Sequence, residues 1–146
     1  PWHFTVVTDR AVLDRISAEN KRIMLASDDP KARERAAQPE FDSFHRAPAA
    51  IIVSGEASNS YAPADCANAM ENMAIAAQSL GLGSCYLGGF RRCLAGSDGA
   101  ALRAELGIPQ EFTPLYALAL GYPAGELPEP APRRQGTINW ITGAPA

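Results

Sequence analysis

Apolar residues gather in short runs that alternate with stretches of helical spacing. Phe4-Thr5-Val6-Val7 is β-branched and aromatic and reads as a strand. Thr8 or Asp9 then caps a helix to about Leu25, with Val12, Leu13, Ile16, Ile23 and Met24 on one face. Asp29-Pro30 is a cap followed by proline at the first helical position, and it starts a short charged helix over Lys31 to Ala37. Ala49-Ala50-Ile51-Ile52-Val53 is apolar without interruption, as in a strand covered on both faces. A helix starting near Asp65 runs to Leu80, with Ala69, Met70, Met73, Ala76, Ala77 and Leu80 at helical spacing. Its many alanines allow close packing and place it at the centre of the fold. Gly81 ends it as a left-handed cap.

The pattern continues with a strand over Ser84 to Leu87, a turn over Arg91 to Ala95, and a helix capped by Ser97 or Asp98 that ends near Leu106 and Gly107. Pro114 to Leu120 is a fourth strand, closed by Gly121-Tyr122-Pro123. Residues 38 to 48 read as irregular surface chain containing Phe41, Phe44 and His45, and Ser54 to Pro63 as a polar loop. From Ala124 to Pro132 proline is frequent and apolar residues are few, which predicts an extended arm ending in the apolar segment around Ile138, Trp140 and Ile141. Helices and strands alternate with unequal connections, so the expected class is α+β: one sheet flanked by helices, in a single domain over 1–146.

Composition narrows the function. The 146 residues have 47% hydrophobic and 20% charged side chains and a net charge of -3, which disfavours a nucleic-acid surface. No apolar run approaches the ~20 residues of a membrane helix. Cys66, Cys85 and Cys93 form no CxxC pair; they predict neither a disulfide framework nor a metal site, and they suit a reducing cytoplasm. The sequence opens on Pro1-Trp2, directly into a strand, so a preceding segment is expected.

The stretch Gly81 to Gly89 carries the strongest chemical suggestion. Its spacing is GxGxxxxGG, and it leaves a helix to enter a strand, the reverse of a dinucleotide-binding loop. No Gly-Lys-Ser/Thr follows. Ser54 and Ser84 lack a nucleophile elbow. His3 and His45 read as packing or surface residues, Asp65 as a helix cap, and Arg91-Arg92 as a solvated turn. The bare glycine pair, by contrast, lets a flat ligand approach the main chain. Arg133-Arg134, at the end of the arm, is either an exposed basic pair or a phosphate clamp.

Taken in order, these pieces resemble the nitroreductase family of flavin-dependent oxidoreductases. Pro1-Trp2-His3-Phe4-Thr5-Val6-Val7 is similar to that family's Gln-Pro-Trp-x-Phe segment and first strand. Ala47-Pro48 with Ile51-Ile52-Val53 resembles its second strand. Asp65, Ala69, Asn72-Met73, Ala76-Ala77 and Leu80-Gly81-Leu82-Gly83 resemble its central helix, and Ser84-Cys85-Tyr86-Leu87-Gly88-Gly89 its flavin-facing strand and turn. Leu106-Gly107-Ile108-Pro109, Leu118-Ala119-Leu120-Gly121-Tyr122-Pro123 and Pro132-Arg133-Arg134 complete the order. The family's N-terminal helix with its Arg-Arg-Ser-x-Arg motif is not in this sequence.

The resemblance implies a mainly antiparallel sheet and an FMN cofactor, which carries the redox chemistry so that no catalytic triad or metal is needed. Gly88 and Gly89 would offer backbone N–H groups to the ring, Tyr86 and Leu87 would wall one ring face, and Arg133, then Arg134, would meet the phosphate. It further implies a ping-pong exchange: NAD(P)H reduces the flavin and leaves, then a nitroaromatic, quinone or similar small-molecule acceptor takes the electrons. The expected assembly is a homodimer with shared sites, and the arm reaches across to the partner. The alternative is a flavin-binding or interaction protein without turnover.

Overall fold

The computed structural model describes residues 1–97, 99–126 and 129–143. Along the chain come β1 (Trp2–Val7), α1 (Arg10–Leu25), α2 (Pro30–Ala37), β2 (Ala49–Glu56), α3 (Ala62–Ser79) and β3 (Gly83–Leu87). A 3-10 turn (Arg91–Leu94), α4 (Ala100–Glu105) and β4 (Phe112–Gly121) follow. The four strands form one sheet in the order β1-β2-β4-β3, and every neighbouring pair is antiparallel. The expected α+β class is what the chain adopts.

Side chains alternate across a strand, so β2 feeds two cores. Ala50 and Ile52 face α1 and join Leu13, Ile16, Phe44, Leu87, Phe90, Ala117 and Ala119. Val53 faces the other way and meets Cys66 and Met70 of α3 with Leu118. This double burial is why the sequence there is apolar without interruption.

The local signals act as their chemistry requires. Asp9 accepts from Ala11 N at 2.8 Å and Asp29 from Lys31 N at 3.0 Å, so both carboxylates cap their helices. Gly81 takes φ +72°, and Leu82 N reaches back to Ala77 O at 2.9 Å, closing α3.

Several expectations are corrected. Phe44 is fully buried and Ser43 nearly so; only part of 38–48 is surface chain, because Phe44 packs on Phe90 with ring centroids 5.7 Å apart. Strand β2 runs on through Ser54-Gly55-Glu56, since these pair with Pro114, Thr113 and Phe112 of β4; the Val53/Ser54 register shift accommodates Leu115 as an extra residue. Gly55 has no room for a side chain, as a Cβ there would lie 2.7 Å from the Ala62 Cβ. Asp65 is not the cap of α3. The helix begins at Ala62 behind Tyr61, with Pro63 in its first turn, and Asp65 accepts from Asn59 Nδ2 at 3.2 Å. Finally, α4 begins after Gly99 rather than at a Ser97 cap; the candidate cap Asp98 lies outside the described residues.

Helix α3 covers one face of the sheet instead of lying at the centre. Met70 and Ala77 are buried, while Ile75 and Leu80 are exposed. Beyond β4 the described part of the arm is irregular and exposed, including Ile138, Trp140 and Ile141.

Candidate functional site

Strand β3 lies at a sheet edge, and the turn that follows it, Gly88-Gly89, is at the surface. Both glycines are exposed, and a Cβ built on either would meet nothing within 4 Å. Below them the chain turns inward through Phe90, which is buried in the α1 core. The glycine pair is thus an open shelf held on a rigid base.

Helix α1 holds that base. Its buried stripe of Leu13, Ile16, Ser17, Asn20 and Met24 includes two polar residues. Asn20 donates from Nδ2 to the Gly89 carbonyl at 3.0 Å and to Ser43 Oγ at 3.0 Å. Ser17 Oγ accepts from Ser43 N at 2.9 Å. Arg10, at the start of the same helix, bonds to the Ala47 carbonyl at 2.9 Å and pairs with Asp42. One helix therefore fixes both the glycine turn and the segment 42–47.

That segment is strained. His45 and Arg46 take φ of 53° and 57°, two successive left-handed residues without glycine. Such conformations cost on the order of 1–3 kcal/mol each and last only where the surroundings enforce them. Here the enforcement comes from the bonds to α1.

Between the two lies a cleft of about 230 Å³, lined by Tyr86 to Gly89, Asn20, Ser43, His45 and Phe41, and by Arg35 and Arg92. No carboxylate lines it. It falls below the ~300–1,000 Å³ usual for small-molecule sites and is too small by itself to enclose a ligand of flavin size. Asn20 Oδ1 is buried without a hydrogen-bond partner among the described residues. Tyr86 leans on Tyr116 with ring centroids 5.1 Å apart. Burial, and then the Tyr116 hydroxyl, push the Tyr86 phenol up to about 12, so it is protonated at neutral pH.

A family model described as the nitroreductase family matches residues 1–122. The chain belongs to the nitroreductase family. It is 34% identical over 131 residues to an Archaeoglobus fulgidus protein named for NADH dehydrogenase/NAD(P)H nitroreductase activity; the match takes in 86% of this chain and 63% of that protein. It is 40% identical over 81 residues to an FMN reductase (NADPH) of Bacillus subtilis, covering 51% of this chain and 30% of the other. The chain thus spans less than two thirds of these relatives. A Bacteroides fragilis nitroreductase solved with bound FMN superposes with a TM-score of 0.88 at 34% identity, over 97% of this chain and 76% of that one.

Within this nitroreductase fold the six expected site residues divide into two groups. Tyr86, Leu87, Gly88 and Gly89 line one cleft. Tyr86 and Leu87 point to opposite faces of β3, and the Leu87 side chain is buried in the α1 core. Arg133 and Arg134 stand exposed on the arm and are not among the residues lining it. Asn20, Ser43, Arg35 and Arg92 went unforeseen. A polar residue on the apolar stripe of α1 was the available signal for Asn20; nothing local marks the others.

Among the described residues no group of His, Cys, Asp and Glu is placed to hold a metal, and no helix is long and apolar enough to cross a membrane. The three cysteines are unpaired, with Cys66 and Cys93 buried and Cys85 exposed.

Proposed function

We propose that this chain is the core of an FMN-dependent oxidoreductase that moves electrons from NAD(P)H to a nitroaromatic, quinone or similar small acceptor. The observation that carries the reading is the Gly88-Gly89 shelf: open where a Cβ would stand, beside a cleft, in a chain of this family. Bound there, FMN would supply the two-electron relay between reductant and acceptor.

The residues of the chain have the tasks of binding and orienting. Gly88 and Gly89 present bare main chain to the ring, and Asn20 keeps that main chain in place. The unpartnered Asn20 Oδ1 offers an acceptor to a ligand donor. Tyr86, protonated at neutral pH, and Leu87 wall one face of the ring. Arg133, with Arg134 second, meets the phosphate from the arm. The small cleft supports a site completed by a second copy in a homodimer. So does the exposed groove bordered by Trp2 and Phe4 of β1 and Ala69 and Met73 of α3, which offers apolar surface for association. Three free thiols agree with a reducing, cytoplasmic setting.

The test is direct. Purified full-length protein should bind FMN, gain thermal stability with it, and oxidise NAD(P)H steadily when a quinone is added. Ligand at 100 times its Kd adds about 2.7 kcal/mol of apparent stability. Colourless protein whose melting temperature ignores FMN rejects the proposal. FMN binding without NAD(P)H oxidation leaves a flavin-binding protein without turnover.

A further inference from the structure

We propose that Arg35 and Arg92 form an anion subsite in the cleft, and that it selects an electron acceptor carrying a carboxylate beside its reducible group. The inference rests on the oxidoreductase reading above and names the substrate class for the same site.

The two guanidiniums come from separate elements, α2 and the 3-10 turn after Gly89, yet line one cavity. Most other arginines of the helices are engaged: Arg10 pairs with Asp14 and Asp42, Arg15 with Glu105, and Arg22 with Glu19, while Arg33 and Arg103 bond to backbone carbonyls. Neither Arg35 nor Arg92 has an ion pair or side-chain hydrogen bond among the described residues. They face a cleft without a carboxylate, in a chain whose net charge is -3. Two unpaired cations converging against the overall sign of the molecule favour an anionic ligand there. A guanidinium fork matches a carboxylate bidentately and cannot lose its charge.

The remaining lining fits an aromatic acid. Phe41 and Met24 supply apolar surface beside the shelf, and the buried hydroxyl of Ser43 lies on the same wall. An aromatic acceptor would stack on the exposed face of the ring that the shelf holds, with its acid group toward the arginines. Such contacts exist in the ground state and the transition state alike, so they should act on KM more than on kcat.

The experiment compares para-nitrobenzoate with para-nitrobenzyl alcohol, which has nearly the same shape and no charge. Binding of each to the FMN-loaded full-length protein is measured without reductant, by calorimetry, and turnover is then measured with NADPH. The wild type should prefer the acid by about tenfold, the scale of one charge-assisted hydrogen bond. The preference should shrink with added salt. It should vanish in R35Q/R92Q, mainly through KM, and return in part in R35K/R92K. Equal binding of the two ligands by wild type, or a preference that survives R35Q/R92Q, overturns the proposal. A change confined to FMN affinity, or to KM for NADPH, assigns the arginines to cofactor or reductant and overturns it too. An arginine-dependent preference in binding without NADPH turnover keeps the subsite and rejects the oxidoreductase reading. Turnover without a preference does the reverse.

Discussion

Asn20 Nδ2 lies 3.0 Å from the carbonyl oxygen of Gly89, so a buried side chain of α1 sets the height of the glycine shelf. The same amide bonds to Ser43 Oγ, tying the shelf to the opposite wall of the cleft. Replacing it by leucine leaves the Gly89 carbonyl and the Ser43 hydroxyl without their donor. Asn20→Leu should therefore cost roughly 1–3 kcal/mol of stability, the range for stranding a buried polar group, and weaken FMN binding in parallel. Denaturant unfolding and flavin titration of the same preparation check both. Unchanged stability would show that the amide is not a structural tie.

Gly89 separates shelf from scaffold. Nothing lies within 4 Å of a Cβ at Gly88 or Gly89, so neither needs to be glycine for packing. Gly89→Val should leave the melting temperature nearly unchanged, as surface substitutions stay within about 0.5 kcal/mol. The added methyl groups should occupy the space of the ring and lower FMN affinity by tenfold or more. Equal FMN affinity in the variant would remove the glycine shelf from the site.

Tyr86 gives a pH signature. Its phenol is raised from 10.0 to about 12, by burial first and by Tyr116 next. Between those values the folded chain holds a proton that the unfolded chain has lost. The contribution of Tyr86 to stability is therefore complete below pH 10 and disappears as the pH rises through about 12. Tyrosinate absorbance should show one phenol titrating late, and Tyr86→Phe should remove that step and flatten the alkaline loss of stability. A step that survives in Tyr86→Phe would assign the late phenol elsewhere.

Arg133 is exposed on the arm, outside the cleft lining. If it meets the cofactor phosphate, Arg133→Ala should lower FMN affinity by at least tenfold, the worth of one hydrogen bond to a charged group, without changing the melting temperature of the cofactor-free protein. An unchanged Kd returns Arg133 to the solvent-exposed surface.

Much of the fold could be read from local pattern. The apolar run at 49–53, the capping aspartates at 9 and 29, and the left-handed glycine at 81 each report a short-range requirement, and each is met. The failures involve partners far away in sequence. Ser54-Gly55-Glu56 looks like loop because its reason for being strand lies at 112–114, and Phe44 looks like surface because its reason for burial is Phe90. The site divides the same way. Gly88 and Gly89 stand out in the sequence and Arg92 follows them in the next turn, while Asn20, Ser43 and Arg35 come to the cleft only through tertiary packing.

The crowding of Gly55 against Ala62 constrains how the sequence can drift. A larger residue at 55 would press first on Ala62 and then on the Leu115 and Cys66 side chains, so relief at position 62 alone does not admit it. Random libraries that vary position 55 alone will be depleted there for reasons unrelated to redox chemistry.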